Sequence, residues 1–374
     1  MRGSPEGATQ LCALLLLGVS GANSLGMLPV LVGAFADQGG FSLATAGLLV
    51  SIQLTAMLVG NAALLGPLRG LPVRRIAAGA LGLIIIGNGL SAGADSFAAH
   101  VACRVIAGLG EGCTIAFAGQ LAQRATADRD FAIYTAVILI AGALNLEFAP
   151  ALLDRFGVAG LLGLVAAYAT VGLMMLGSLP DRIHTPRSVE SVAPPVIRMD
   201  ALLLVLILYV GLASLWTLIG RFGIDSGLDS GDVSQIIGRA FLVAGLSGAA
   251  LAPALARQFG NQRVVAAMVC GMAAAGAVLA LQSDGSAFTF ATAGFIFAWF
   301  TCFPNVMGLL AKLDPAGGLA VSGMLAQTLG FAISPWFSAS LTGVIGLAGA
   351  GWVAIAFLSA SLVMLVIVSR RSEQ

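Results

Sequence analysis

The segment CRVIAGLGEGCTIAFAGQLA, residues 103–122, is apolar or small almost throughout and carries two charged residues, Arg104 and Glu111. In an α-helix, residues seven positions apart are separated by about 10 Å along the axis and point nearly the same way. The two charges therefore share one face of an apolar helix. Such a helix either lies in the core of a soluble protein or crosses a membrane, and the rest of the chain decides between the two.

Composition favours the membrane. Of the 374 residues, 59% are hydrophobic and only 9% are charged, whereas an ordinary globular protein has about 25% charged residues. A helix needs about 20 residues to cross a hydrocarbon core of about 30 Å. Continuous apolar runs of this kind do not alternate as the strands of a β-barrel do. We therefore expect an all-α membrane protein with twelve transmembrane helices, near residues 11–34, 43–66, 76–93, 98–122, 131–153, 158–178, 201–222, 233–256, 264–281, 287–310, 321–342 and 346–369.

The basic residues predict the orientation of the chain. Lys and Arg in short loops favour the cytoplasm, and with the N-terminus inside, fourteen of the 18 basic residues fall in cytoplasmic segments. Arg155 and Arg221 fall at the outer side. We therefore expect both termini in the cytoplasm. The asymmetry follows the topology and does not indicate a nucleic-acid surface, so we expect no nucleic-acid partner.

The least hydrophobic long stretch, LPDRIHTPRSVESVAPPVIRMD at residues 179–200, divides the chain. It predicts a cytoplasmic linker over 180–200 between an N-terminal six-helix bundle, 1–179, and a C-terminal six-helix bundle, 201–374. The two halves repeat each other. LLGPLRGLPVRR matches LAPALARQFGNQR when Pro67 is aligned with Pro253, and EFAP matches AISP when Pro150 is aligned with Pro335. The offsets, 186 and 185 residues, indicate an internal duplication.

These features resemble the major facilitator superfamily. GMLPVLVGAFADQGGFSLATAGLLVSIQLTAMLVGNAALLGPL, residues 26–68, is similar to the first two spans of its bacterial proton-driven members, and RVIAGLGEG is similar to its fourth span. The family's signature loop reads G-x-L-A-D-R-x-G-R-[RK]. Gly70 and Leu71 replace its aspartate and first arginine, which removes the charge that the family uses to latch neighbouring helices on the cytoplasmic side. The positions that match are Gly66, Leu68, Arg74 and Arg75.

The resemblance implies two pseudo-symmetric bundles in a bacterial inner membrane, and it assigns positions to the polar residues of the spans. In the family, spans one, four, seven and ten line a central cavity, which gives candidate substrate contacts at Arg104, Glu111, Asn23, Asn305 and Trp299. Spans two, five, eight and eleven flank the contact between bundles, which gives candidate gate or coupling groups at Glu147, Arg239, Gln53 and Gln327. Charged groups within a bilayer are costly, by at least about 2.5 kcal/mol, and usually mark a pathway. An ion pair that only fixes packing is the alternative for Arg104 and Glu111, and interhelical hydrogen bonds explain each amide equally well.

Enzymatic chemistry has little support in the sequence. The two histidines, His100 and His184, have no partner at zinc-like spacing, and no phosphate-binding G-x-x-x-x-G-K-[ST] loop is present. The cysteines show no metal or disulfide pattern. We expect no metal, no cofactor and no enzyme, although an intramembrane enzyme stays a remote alternative.

The function that the resemblance implies is secondary transport of a small organic solute by a monomer in the lipid bilayer. Proton coupling is expected, because buried Glu111 and Glu147 could exchange a proton. Export of a lipophilic or aromatic compound is slightly favoured, and a uniporter or exchanger that holds an organic anion on Arg104 and Arg239 is the alternative. We also expect Glu147 and Arg239 to pair across the two bundles at the outer side, the alternative being a pair within one bundle, such as Glu147 with Arg104.

Overall fold

The computed structural model describes residues 5–65, 67–68, 71–117, 127–179, 198–281, 284–315 and 317–372. Helices make up nearly all of this part of the chain. In the N-terminal half, α1 and α2 form the first span, with a break at Met27, and five more helices follow. The bounds are α1 Pro5–Gly26, α2 Leu28–Asp37, α3 Leu43–Leu65, α4 Val73–Ser91, α5 Phe97–Ala116, α6 Ala127–Phe156 and α7 Val158–Met174.

The C-terminal half repeats this layout. Its second span consists of α9 and α10, joined by a π-helical segment over Phe241–Gly245. Its last two spans are joined at Gly346, where a positive φ of 76° turns the chain between two helices. The bounds are α8 Met199–Asp225, α9 Ser230–Ala240, α10 Leu246–Phe259, α11 Asn261–Ala280, α12 Gly285–Leu313 and α13 Gly318–Ser372, which includes both last spans.

Most of the helices, though not α5 with its two charged residues, have the length and composition of membrane spans. Within the described residues, nine helices are long and apolar enough to cross a bilayer, and Leu28–Asp37 and Val158–Met174 are shorter apolar helices. When α1 is joined to α2 and α9 to α10, and α13 is divided at Gly346, the helices correspond to the twelve predicted spans. The predicted fold class is therefore confirmed.

Each half packs mainly on itself, so we call α1–α7 the N-terminal bundle and α8–α13 the C-terminal bundle. The two bundles meet where α3 contacts α13, where α6 contacts α9 and where α2 contacts α8. We call the face where α1 begins and α13 ends the terminal face. The face where α2 ends at Asp37 and α3 begins at Leu43 is the distal face. The predicted linker lies almost wholly outside the described residues, so the residue boundaries of the bundles stay a prediction.

Glycines on α5 bring the helices of the N-terminal bundle close together. A Cβ at Gly108 or Gly112 would overlap a backbone carbonyl of α3, that of Gln53 or of Met57. A Cβ at Gly110 would overlap the carbonyl of Ala80 on α4. Small residues at such contacts allow backbones to approach closely in membranes. They place α5, with its two charged residues, against both neighbours.

We expect Gly112→Ala to destabilise the folded protein by about 1–3 kcal/mol, because its Cβ overpacks the contact with α3. Gly82→Ala on α4 is the matched control, since a Cβ there meets nothing within 4 Å and alanine favours a helix by about 1 kcal/mol over glycine. The thermal unfolding midpoint of each purified variant in one detergent measures the effect. Equal midpoints for the two variants would contradict the packing argument.

Candidate functional site

Arg104 and Glu111 lie on α5 in the interior of the N-terminal bundle, where both side chains are fully buried. Gln53 on α3 lies between them. Its Nε2 donates to both carboxylate oxygens of Glu111, at 3.0 and 2.9 Å. Its Oε1 accepts a hydrogen bond of 3.1 Å from Arg104 Nη1. The two charged groups are therefore joined through a neutral amide, and Gln53 faces the interior of its own bundle.

Helices α1 and α4 complete this polar network. Ser24 Oγ on α1 donates to Glu111 Oε1 at 2.7 Å. Arg104 Nη2 donates to Asn88 Oδ1 at 3.1 Å and to the Gly87 carbonyl at 3.3 Å, both on α4. A buried charge without partners costs several kcal/mol, so these contacts are what permit the two charges at this depth. In the state that the structure shows, the network is enclosed by four helices.

A second polar group surrounds Asn23, the residue before Ser24. Its Oδ1 accepts a short hydrogen bond from Asn145 Nδ2 on α6, and Tyr168 on α7 donates to Asn145 Oδ1 at 3.0 Å. Asn23 is only 5% exposed, and its Nδ2 has no hydrogen-bond partner among the described residues. An unpaired buried donor is available to a ligand, so Asn23 stays a candidate substrate contact, as the family resemblance implies.

The C-terminal bundle presents an aromatic cluster instead of a polar network. Trp299 on α12 stacks on Phe300 with ring centroids 4.9 Å apart and meets Trp216 of α8 at 5.4 Å. Phe241, in the π-helical segment, lies 5.2 Å from Trp216, and Phe331 lies 5.9 Å from Trp299. Single-turn π segments are frequent at functional sites. Here the segment places an aromatic ring at the contact with the other bundle, since Phe241 also packs near Gly142 of α6.

The two remaining amides among the predicted site residues behave differently. Asn305 on α12 is buried and bonded within its own bundle, since its Oδ1 accepts from Asn261 Nδ2 at 3.2 Å and its Nδ2 donates to the Thr301 carbonyl at 2.8 Å. Gln327 on α13 is half-buried and makes no hydrogen bond with the described residues. These two hydrogen bonds of Asn305 thus hold α12 together and join it to the start of α11.

Glu147 on α6 and Arg239 on α9 meet across the bundle interface. The distance from Arg239 Nη2 to Glu147 Oε1 is 3.3 Å, and the same Nη2 donates to Gln235 Oε1 at 2.9 Å. Glu147 therefore contacts Arg239, as the sequence predicts, and not Arg104. The pair is less enclosed than expected, because the two side chains are 36% and 65% exposed.

A second ion pair across the interface was missed by the sequence analysis. Arg221, at the end of α8, contacts Asp37, at the end of α2, at 2.8 Å. The two residues stand 184 positions apart, which is close to the offset of the internal repeat. The offset of the repeat therefore predicts that Asp37 and Arg221 lie at equivalent ends of the first and seventh spans. The pair lines a cavity of about 570 Å³ that opens at the distal face.

The signature loop is partly described. Gly66 lies outside the described residues, and Leu68 is half-buried against the core. Arg74 Nε donates to the Leu179 carbonyl at 3.0 Å, within the N-terminal bundle, while Arg75 is exposed. The described part of this loop thus ties α4 to the end of its own bundle. No group of three His, Cys, Asp or Glu that could hold a metal occurs among the described residues.

Comparisons with known proteins agree on the fold. The sequence profile of the Major Facilitator Superfamily matches residues 12–335. No curated protein sequence matches the chain. Solved structures do match, including a D-xylose–proton symporter, with a TM-score of 0.72 and 17% identity over 96% of both chains.

Two other solved structures have similar scores. A nucleoside transporter matches with a TM-score of 0.75 and 15% identity, over 97% of this chain and 99% of its own. A partially occluded, inward-open xylose transporter from E. coli matches with a TM-score of 0.76 and 16% identity, over 96% and 98% of the two chains. At these identities the likeness concerns the fold alone.

We expect the pair of Glu147 and Arg239 to help close the distal face. Arg239→Glu places two carboxylates together, so the ratio of distal-open to distal-closed molecules should rise by about fivefold or less, as for an exposed pair. The double exchange, Glu147→Arg with Arg239→Glu, should restore the original ratio. The readout is the distance between spin labels at Gln38 and Val344, which are exposed at the distal face on opposite bundles. A double exchange that opens as far as the single variant would refute the pairing.

Proposed function

The chain belongs to the major facilitator superfamily, and from this premise we propose that it is a proton-coupled secondary transporter that moves a small organic solute across the bacterial inner membrane by alternating access. The membership makes it a multi-pass membrane transporter and not an enzyme. We further propose that both termini lie in the cytoplasm. The terminal face is then the cytoplasmic face and the distal face is the outer one.

The buried carboxyl of Glu111 is the observation that carries the proposal of proton coupling. As a carboxylate it accepts hydrogen bonds from Ser24 and Gln53. As a carboxylic acid it would itself carry a donor that faces the donors Ser24 and Gln53, so uptake of a proton weakens the hydrogen bonds it makes with them. A titratable group within the membrane is a functional candidate by default. Glu111 is therefore the proposed proton site.

The position of its partners supports a link between Glu111 and the bundle interface. Ser24 precedes Leu25, whose carbonyl accepts a hydrogen bond of 3.0 Å from Trp216 of the C-terminal bundle. Gln53 lies two residues from Ser51, whose Oγ accepts a bond of 3.0 Å from the backbone N–H of Trp336. Both residues that bind Glu111 thus lie next to a contact between the bundles. A change in the proton state of Glu111 would act on both contacts through one or two residues of helix.

The contacts between bundles support an inward-facing state. Asp37, Glu147 and Ser51 all bind partners of the other bundle in the distal half of the molecule. If the distal face is the outer one, these contacts close the outer path. Alternating access then requires them to break together when the bundles rock.

The aromatic cluster around Trp299 supports an apolar or aromatic substrate. Aromatic rings bind other rings through offset and edge contacts, worth about 0.5–1.5 kcal/mol beyond the area they bury. Trp216 and Phe241 lie at the bundle contact, Trp299 packs against both of them from within the C-terminal bundle, and all three side chains are uncharged. We propose that the solute is a lipophilic or aromatic compound, with export favoured over import.

The anion-exchange alternative has less support. Both Nη atoms of Arg104 are engaged by Gln53, Asn88 and Gly87, and Arg239 contacts Glu147. An anion would have to displace these partners. The comparison structures include a human organic anion transporter, with a TM-score of 0.66 and 18% identity over 97% of this chain and all of its own, so the fold itself accommodates that chemistry.

Glu111→Gln should abolish accumulation of substrate against a gradient while it leaves exchange of substrate intact, because glutamine keeps the shape of the site and one oxygen that accepts from Ser24 and Gln53 but cannot carry a proton. Proteoliposomes with an imposed pH gradient measure both activities. Asp154→Asn, at an exposed residue near the end of α6, is the control and should retain uphill transport. Unchanged uphill transport by Glu111→Gln would remove this residue from the coupling mechanism.

Trp299→Leu should raise the KM for aromatic substrates by about two- to tenfold, the equivalent of one lost aromatic contact. Substrates are first identified by the growth of an overexpressing strain, compared with a deletion strain, across a compound panel. The matched control is Trp352→Leu, since Trp352 is exposed on α13. Equal KM values for the two variants would exclude Trp299 from substrate binding.

A further inference from the structure

Two prolines of the N-terminal bundle, Pro29 and Pro150, remove backbone donors from its helices. In an α-helix, the N–H of each residue binds the carbonyl four positions earlier, and proline has no N–H. Pro29 therefore leaves the carbonyl of Leu25 without its helical donor, and Pro150 does the same to the carbonyl of Leu146. On both sides of Leu25 the helical pattern continues, with Met27 N bonded to Asn23 O and Leu31 N bonded to Met27 O.

Both freed carbonyls are bound by side chains of the other bundle. Trp216 Nε1 on α8 donates to the Leu25 carbonyl at 3.0 Å. Ser234 Oγ on α9 donates to the Leu146 carbonyl at 2.6 Å. Trp216, Ser234 and Leu146 are all buried. Two hydrogen bonds between the bundles thus end on the two carbonyls that prolines make available.

The hydrogen bonds to the carbonyls of Leu25 and Leu146 matter because the two carbonyls lie within the membrane. A backbone carbonyl without a partner in the hydrocarbon region is strongly unfavourable, because no water is present to bind it. In the closed distal interface, the donor from the other bundle meets this need. When the bundles separate on the distal side, water that enters the opened path can take the place of that donor. The freed carbonyls therefore favour either a tightly closed or a water-filled interface over a partly open, dry one.

We propose that Pro29 and Pro150 serve the transport cycle as latch residues: each frees a carbonyl that Trp216 or Ser234 of the C-terminal bundle binds whenever the distal side is closed. The proposal rests on the alternating-access cycle proposed above. It adds the residues that hold the closed state and explains why helix-breaking residues stand at the bundle contact.

The pair of Ser234 and Pro150 gives the sharper test, because both changes are small. Ser234→Ala strands the Leu146 carbonyl in the closed state. Pro150→Ala supplies an N–H from the same helix and makes the serine dispensable. Ser234→Ala should raise the ratio of distal-open to distal-closed molecules by about 5- to 150-fold, because it leaves a buried acceptor unpaired, and Pro150→Ala should raise it by about two- to tenfold, as for one hydrogen bond. The double variant should open no further than either single one, because the carbonyl is then bound within its helix.

Distances between spin labels at Gln38 and Val344 report the two populations in lipid nanodiscs, in a chain whose five native cysteines are replaced. Pro253→Ala is the matched control. Among the described residues, no donor from the N-terminal bundle binds the carbonyl of Ala249, four positions before Pro253, so this change should leave the ratio unaltered. Trp216→Phe and Pro29→Ala, alone and together, repeat the cycle at the other carbonyl.

Three results would overturn the latch. In the first, the single variants leave the ratio of distal-open to distal-closed molecules unchanged. In the second, the double variant changes this ratio by the product of the two single changes. In the third, Pro253→Ala changes the ratio as much as Pro150→Ala does. The label distances need neither substrate nor proton gradient. A failed latch with intact uphill transport would therefore leave the proposed function standing, and a confirmed latch without proton-driven flux would refute only the coupling.

Discussion

A backbone carbonyl inside a bilayer has no water to bind, and the architecture of this protein follows from that constraint. Continuous helices satisfy it along most of the chain. Prolines within the spans interrupt the helical ladder at Pro29, Pro150, Pro253, Pro304 and Pro335. Beside three of them a backbone group binds the opposite bundle: the carbonyls of Leu25 and Leu146, and the N–H of Trp336. At Pro29, Pro150 and Pro335, a point at which a helix is less self-sufficient is thus also a point at which the two halves are joined.

The charged side chains within the bundle also lack water, so each of them needs hydrogen-bond partners from the protein. Arg104 and Glu111 would form a strong ion pair if they touched, and that pair would hold Glu111 in its ionised form. Gln53 separates them, and Coulomb attraction falls with distance. The amide has a donor for the carboxylate and an acceptor for the guanidinium, so each charge keeps a partner. Arg104 also donates to Asn88 and Gly87, which are not partners of Glu111. Two of the hydrogen bonds of Arg104 thus do not depend on the carboxyl directly.

The positions of the twelve spans could be predicted from the sequence, because the hydropathy of a segment depends only on its own residues. The predicted segments lie close to the observed helices. It also predicted the contact of Glu147 with Arg239, because the family layout places spans five and eight side by side. It did not predict that Gln53 would join Arg104 to Glu111, or that Asn305 would be bonded to Asn261, since side-chain direction within a buried bundle depends on helix rotation. The breaks at Met27 and in the π-helical segment are small changes of backbone that hydropathy does not record.

Internal duplication explains why the contacts recur. Pro150 and Pro335 are equivalent in the repeat, with an offset of 185 positions, and Ser51 and Ser234, 183 positions apart, lie in the first halves of spans two and eight. Each serine lies across the interface from the proline region of the other bundle. The hydrogen bonds run in opposite senses, because Ser234 donates to a carbonyl whereas Ser51 accepts from an N–H. A hydroxyl can do both, which allows one residue type to fit both halves of a duplicated interface after their backbones have diverged. A serine can therefore form the equivalent contact in both halves, although it donates a hydrogen bond in one half and accepts one in the other.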